Sequence, residues 1–278
     1  MLSQSRHIQS PIIILGAPRS GTTLLGKLIA AHPDVAYWEE PRTVWSTGNQ
    51  QLPDDVLTPE HLSQKTADQI DQRFADFLTK SGKTRFAEKT PCNLLRIPFI
   101  HALYPDAKFI YIHRDPYSVI ASALRMLETP PDLNRITARI REARLRDYPN
   151  LLSLFVRDTL ARRFNHGKKP FWGPRPPEWQ TWQKLPPATM LSKQWLALTQ
   201  SANHDLQQLP NNCWMQINYP DLIEKPEQTL PQILDFSELS PSPSVTDLAK
   251  KIIHLQNPEA WRKQLSPEQI QQIEEQIR

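Results

Sequence analysis

Cysteine is nearly absent: Cys92 and Cys213 are the only two in 278 residues. That is too few for the disulfide framework of a secreted scaffold or for a four-thiolate zinc site, so a reducing compartment is expected. No apolar run approaches the roughly 20 residues needed to span a bilayer. The opening MLSQSRHIQS also lacks the apolar core of a signal peptide. These absences lead to the expectation of a soluble, cytoplasmic protein with no transmembrane segment. No internal repeat and no low-complexity tail are visible. Strong charge is missing too, since a net charge of +4 gives no ground for a nucleic-acid partner, although it is compatible with a polyanionic nucleotide. Glycine is scarce, 7 residues against 27 prolines, so helix starts, stops and rigid connections should be frequent. The length allows one large domain or two small ones, and a single domain over 1–278 is expected.

Against this background one stretch stands out, PIIILGAPRSGTTLLGKLIAAHPDVAYWEE, from Pro11 to Glu40. Ile12, Ile13, Ile14 and Leu15 form a continuous, largely β-branched run, as in a parallel strand buried on both faces. Gly16 ends it, Ala17 to Thr23 form a loop, and Leu24, Leu25, Leu28 and Ile29 then follow helical spacing. A strand, a loop and a helix start in this order aim backbone N–H groups and the positive helix end at one spot, which favours phosphate or sulfate. The spacing G-x-x-x-x-G matches the start of a P-loop, but Thr22 occupies the position of the NTPase lysine. Positive charge comes earlier instead, from Arg19, which suits an anionic tail bound without the lysine and Mg²⁺ apparatus of an NTPase.

A second segment repeats the arrangement. In AKFIYIHRDPYSVIASALR, from Ala107 to Arg125, the run Phe109 to Ile112 reads as a buried strand, Arg114 and Asp115 lie at its end, and a helix begins near Val119. Two basic helix-start sites on strands of one parallel sheet fit a ligand with phosphate groups at two ends, bound beyond the C-terminal strand ends.

The loop Arg19-Ser20-Gly21-Thr22-Thr23 resembles the 5′-phosphosulfate loop of sulfotransferases, which use 3′-phosphoadenylyl sulfate (PAPS) as donor. In the resemblance, Arg114 and Ser122 match the 3′-phosphate site, with Ser118 off the family spacing. The arrangement A-H-P-D-V-x-x-x-E-E-x-R, from Ala31 to Arg42, resembles the tyrosylprotein-type and related bacterial sulfotransferases, whose second glutamate, here Glu40, is the proposed base. Glu39 is the weaker candidate, and Arg42 matches a nearby arginine. The segment Glu88-Lys89-Thr90-Pro91 is similar to the family motif before the 3′-phosphate strand, and makes Lys89 the group that stabilises charge on the leaving phosphate. Tyr219-Pro220-Asp221-Leu222 with Pro226 resembles a Y-E-D-L motif that would place Tyr219 near the nucleotide, and Trp261-Arg262 resembles a C-terminal W-R stretch. The resemblance implies an α/β, P-loop-type three-layer αβα fold with a mainly parallel sheet. It implies sulfuryl transfer from PAPS to a hydroxyl, or secondarily an amine, of a small-molecule, glycan or lipid acceptor. No metal is required.

Other stretches say less. Helices are expected over 66–80, from Asn93 as N-cap to Leu103, over 191–209 and 229–236, and from Ser266 as N-cap through Ile277, with strands at 84–90 and 213–218. Cys92 is a packing residue rather than a nucleophile, and 51–60 is an unreadable Pro- and Asp-rich loop. Between Asn134 and Arg175 eleven Lys and Arg face three acids, either the wet face of a helix or a basic wall for an acidic acceptor. With the aromatic loop 166–187, a candidate lid, it forms a variable acceptor-side region at 134–190. The rival functions are a P-loop small-molecule kinase, which would need a lysine that the first loop lacks, and a non-catalytic nucleotide-binding protein. Oligomeric state and acceptor identity stay open.

Overall fold

The structure, a computed structural model, describes residues 6–128, 171–255 and 257–278. The chain divides into two compact units, Met1–Leu124 with Pro174–Arg278, and Arg125–Gly173. The sheet and its flanking helices belong to the first. The expected basic stretch 134–175 and the aromatic loop 166–187 lie outside the described residues as far as 170.

Five strands make up the sheet: β1 (Ile12–Leu15), β2 (Val35–Glu39), β3 (Arg85–Lys89), β4 (Lys108–His113) and β5 (Trp214–Asn218). All pair in parallel, in the order β2-β3-β1-β4-β5. The centre of the sheet is β1, whose four residues are fully buried. Ile13 and Leu15 pack into one core with Phe74, Phe86, Phe99, Phe109 and Leu198, while Ile12 and Ile14 pack into the other with Leu25, Leu28, Ile110, Leu222 and Ile233. This alternation is why the run is apolar without interruption: a strand covered by helices on both faces has no wet side. The three-layer αβα architecture expected from the sequence is the one found.

Helix α1 (Thr22–Ala30) crosses one face of the sheet, and its Gly26 packs so tightly on Tyr37 of β2 that a Cβ there would sit 2.2 Å from the phenol oxygen. His32, fully buried just after α1, accepts from the Asp34 N–H at Nδ1 (3.2 Å), so Nε2 is the donor to the Ser240 carbonyl (3.0 Å). On the other face lie the short α2 (Arg42–Trp45), α3 (Gln64–Ser81), α4 (Ile97–Leu103) and the helix Pro187–Leu206. Phe74 of α3 is the hub of an aromatic group, edge-on to Trp38 (5.9 Å) and Trp45 (5.0 Å) and tilted on Phe86 (4.6 Å). Ser266 caps the terminal helix Pro267–Ile277 in a capping box with Gln269, as the sequence predicts.

One local expectation fails. Asn93 does not cap a helix running to Leu103; Pro91–Leu95 forms a 3₁₀ turn, and α4 starts only at Ile97 with Pro98 in its first turn. The Asn93 amide is taken instead by Glu88 Oε1 at 2.7 Å, while Glu88 Oε2 accepts from the Thr90 hydroxyl at 2.7 Å. Glu88 is fully buried, and burial pushes its carboxyl up to about 7. The helix Pro243–Ile252 is also absent from the sequence expectations. Among the described residues no helix is long and apolar enough to cross a membrane.

Two outcomes follow from this packing. Phe74→Ala should cost about 3–5 kcal/mol, read as a lower urea midpoint at unchanged slope; a loss below about 1 kcal/mol would show that the ring is not a hub. For Glu88, the folded pKa lies above the unfolded value of about 4.3, so between the two the folded state binds more protons and stability falls as pH rises. Wild type should therefore lose stability relative to Glu88→Gln between about pH 4 and about pH 7 in urea titrations, and parallel pH slopes would contradict this.

Candidate functional site

In a parallel sheet every strand ends at the same edge, and here that edge gathers the residues singled out in the sequence. The chain leaves β1 for β2 and β3 on one side and then passes to β4 and β5 on the other, so the strand order reverses at β1. The loop after β1 and the loop after β4 therefore open side by side.

Two residues fix the first loop. Arg19 has φ +74° and Gly21 has φ +98° at the N-cap of α1, both left-handed. The ring of Tyr219 lies against Gly21, where an added Cβ would be 2.4 Å from Cδ2, so the position excludes a side chain on two grounds. The Ser20 N–H closes a turn on the Ala17 carbonyl (3.0 Å), and the first helical bond runs from Leu25 N–H to the Gly21 carbonyl (3.1 Å). Ser20 and Thr22 are buried and Thr23 is exposed, so the first turn of α1 starts at the surface of the sheet edge. A helix start of this kind favours an anion.

The second loop closes onto the first. Arg114 donates from Nη1 to the Arg19 carbonyl (3.2 Å), and Arg19 donates from Nε to the Ser122 hydroxyl (3.0 Å) of α5 (Pro116–Glu128). The Arg114 guanidinium also lies 4.1 Å from the ring centre of Tyr219, which follows β5 directly. Arg19, Gly21, Arg114, Ser122 and Tyr219 thus form one connected cluster spanning the ends of β1, β4 and β5. Ser118 plays another part: its N–H donates to the Asp115 carboxylate (2.8 Å), which starts α5. Beyond it, Tyr117 stacks on Trp261 (4.5 Å, 19°), with the Arg262 guanidinium 4.5 Å from the Trp261 ring centre. This gives the W-R stretch a contact that the sequence did not reveal.

Glu40 and Lys89 meet at the ends of β2 and β3. Glu40 has φ +55°, and its N–H donates to the Lys89 carbonyl (2.9 Å). Of five non-glycine residues with positive φ among those described, Arg19 and Glu40 are two, which places backbone strain at both proposed functional loops. Pro41 then makes a tight turn (φ −72°, ψ 55°) in which the Arg42 N–H donates to the Glu40 carbonyl (2.7 Å). This turn brings the Arg42 guanidinium to Glu40 Oε2 (3.1 Å), while Lys89 Nζ lies 2.9 Å from Glu40 Oε1 and 3.4 Å from Glu39 Oε1. The Lys89 side chain is only 3% exposed, and Glu39 is 51% exposed against 17% for Glu40. Lys89 pairs in register with Ile14, two residues before Gly16, so the ammonium belongs to the strand next to the anion loop.

Some functional surroundings were not legible beforehand. The Asp55 carboxylate sits between Arg96 and Arg175, and the Cys92 thiol lies 3.4 Å from it. Burial, with Asp55 adding to it, pushes that thiol up to about 11, so Cys92 is no nucleophile, in keeping with its reading as a packing residue. A Pro- and Asp-rich loop carries no spacing signal that would have marked Asp55. Glu88 lies within the E-K-T-P segment, but its burial and its bonds to Thr90 and Asn93 leave no mark on the local pattern.

With this geometry in hand, the comparisons with known proteins converge. Residues 11–158 match the family described as "Sulfotransferase family". The nodulation protein NoeE of Sinorhizobium fredii is 32% identical over 124 residues, 39% of this chain and 30% of that protein. Protein-tyrosine sulfotransferase 1 of Homo sapiens is 30% identical over 131 residues, 42% of this chain and 35% of that protein. The chain thus spans only about a third of these curated relatives' length. Among solved structures, the sulfotransferase domain from the curacin biosynthetic pathway aligns with TM-score 0.53 at 20% identity, covering 98% of each chain. The sulfotransferase domain of the Synechococcus PCC 7002 olefin synthase aligns with TM-score 0.53 at 18% identity, covering 99% of this chain and 97% of that one. At these identities the likeness is one of fold, and that fold is the P-loop-type α/β architecture described above. Because the family match takes in more than half of the sequence, with the loops after β1 and β4 and the Glu40–Lys89 pair inside it, the protein belongs to the sulfotransferase family.

Proposed function

We propose that the protein transfers a sulfuryl group from PAPS to a hydroxyl of an acceptor, with an amine as the second choice. The single observation that carries this reading is the closed cluster of Arg19, Ser122, Arg114 and Tyr219 beside the Glu40–Lys89 pair. The 5′- and 3′-phosphates of this donor sit on one ribose, so it needs two adjacent anion sites, and the loops after β1 and β4, joined by the Arg19–Ser122 bond, suit them. Arg19, Ser20, Gly21, Thr22 and Thr23 take the 5′-phosphosulfate at the start of α1, Arg114 and Ser122 take the 3′-phosphate, and Tyr219 packs near the nucleotide.

In this reading the acceptor oxygen attacks sulfur in line, and the bond from sulfur to the bridging phosphate oxygen breaks. Negative charge grows on the departing 5′-phosphate. Lys89 and Arg19 oppose that charge, at positions fixed before the reaction and so without reorganisation at the barrier. Glu40 takes the acceptor proton. It is paired with Lys89 at 2.9 Å and with Arg42 at 3.1 Å. A donor phosphate that draws the Lys89 ammonium toward itself turns Glu40 Oε1 over to the acceptor hydroxyl, so proton removal is coupled to occupancy of the donor site. Glu39, further from Lys89 and half exposed, is a secondary partner.

The acceptor is a small molecule, glycan or lipid. The relatives named protein-tyrosine sulfotransferases add a tyrosyl hydroxyl to the acceptors worth trying. We read the chain as one catalytic domain with 134–190 as its variable acceptor-side region.

The experiment is a screen of these acceptors with PAPS, following 3′-phosphoadenosine 5′-phosphate (PAP) release, with PAP and Mg-ATP binding measured alongside. Arg114→Ala should weaken PAP binding about 10- to 100-fold, the worth of one or two charged hydrogen bonds of about 1.5–3 kcal/mol. Glu40→Gln should instead leave PAP affinity within about threefold, and both it and Lys89→Ala should lower the transfer rate about 10²- to 10⁴-fold. Equal affinity for PAP in wild type and Arg114→Ala, or tight binding of Mg-ATP alone, would overturn the reading.

A further inference from the structure

Asp55 lies in the 51–60 loop, remote in sequence from every motif above, yet four groups meet its carboxylate. Its carboxylate Oδ1 lies 3.4 Å from Arg96 Nη2 and 3.4 Å from Arg175 Nη2, and Oδ2 accepts the Arg175 N–H at 2.8 Å and faces the Cys92 thiol at 3.4 Å. Its own N–H donates to the Arg175 carbonyl (2.8 Å), and its carbonyl accepts from Arg96 Nε (2.9 Å). Burial works against the charge, but the two guanidinium groups hold the Asp55 carboxyl below the usual carboxylate range.

These bonds join two pieces of chain that are far apart in the sequence. Cys92 and Arg96 belong to the turn that follows Lys89 and Thr90, and Leu57 N–H reinforces the junction by donating to the Leu95 carbonyl (3.2 Å). Arg175 opens the segment Pro174–Trp182. That segment is held at two further points, Gln194 Nε2 to the Pro174 carbonyl (2.7 Å) and Trp179 Nε1 to the Pro53 carbonyl (2.8 Å), and within it Arg175 lies over the Trp179 ring (5.6 Å). Asp55 also acts electrostatically on Arg42, the residue that pairs with Glu40. Hydrogen bonds to a buried charge are among the strongest a protein makes, so one carboxylate with four donors is a rigid joint.

We propose that Asp55 is a positioning residue for the acceptor side of the site: it locks the segment Pro174–Trp182 to the turn after Lys89 and, through that turn and Arg42, fixes the Glu40–Lys89 pair. The term acceptor side rests on the proposed function, because it is set by Glu40 as base. The mechanical part does not, and can be read separately.

Amide hydrogen exchange on the full chain, wild type against Asp55→Asn, tests it, with PAP calorimetry on the same samples. In the variant, exchange should quicken about tenfold or more across 174–182, 90–96 and 40–45 together, while helix α1 and the PAP affinity stay within about threefold of wild type. Arg175→Gln, at a half-exposed position, guards against a misfolded Asp55→Asn and should quicken the same three stretches more weakly. Once an acceptor is in hand, both variants should lose transfer rate with unchanged donor KM. Faster exchange confined to 53–57 and 174–176, with 90–96 and 40–45 at wild-type rates, would overturn the proposal. Failure of wild type to bind PAP would instead remove the sulfotransferase reading and leave the joint standing.

Discussion

An ammonium group taken out of water must be met by negative charge, and much of the site's construction serves that requirement at Lys89. Its side chain is almost wholly buried at the end of a central strand. Glu40 reaches it only because the backbone there turns left-handed, and that turn is held by a hydrogen bond back to the Lys89 carbonyl. The strained residue and the buried charge thus depend on each other. Removing either partner would take from the other its nearest opposite charge in a poorly solvated place, which destabilises the site. Arg42 on one side and Glu39 on the other complete the set. A buried ion pair is weak evidence for stability, but it is good evidence for a function that needs both charges in register.

The parallel sheet makes such a site reachable from separate motifs. Because all five strands run the same way, the loops after β1, β2, β3 and β4 emerge on one edge, and the reversal of order at β1 parts the first loop from its neighbour after β4. The cost of this arrangement is that each strand must be apolar on both faces, so the helices on the two sides are obligatory. The aromatic group around Phe74 fills one side, and the close approach of α1 over Gly26 shapes the other. Rigid packing on both faces is what lets loops at the edge hold left-handed residues without relaxing.

The legible parts of the sequence were those in which local pattern and tertiary demand coincide. Ile12–Leu15 and Phe109–Ile112 read as buried strands because two-sided burial leaves no polar position, and Ser266 with Gln269 announced a helix start by chemistry local to four residues. The places of Arg19, Arg114 and Glu40 just past strand ends were legible because the motifs around them are contiguous. Asn93 was misread because its amide answers a buried carboxylate five residues earlier rather than the helix after it. Asp55 was illegible in principle, since its meaning comes from Arg96 and Arg175, 41 and 120 residues away. The contact between Trp261 and Tyr117 was hidden for the same reason.

The central claim is that the two loops form one bipartite anion site for a nucleotide with phosphates at its 5′ and 3′ positions. Its most direct test is a crystal structure of the protein with PAP. The account predicts the 5′-phosphate at the first turn of α1, against the loop of Arg19 to Thr23, and the 3′-phosphate within hydrogen-bonding reach of Arg114 and Ser122. A nucleotide bound elsewhere, or one lying with its 3′-phosphate away from Arg114, would contradict it.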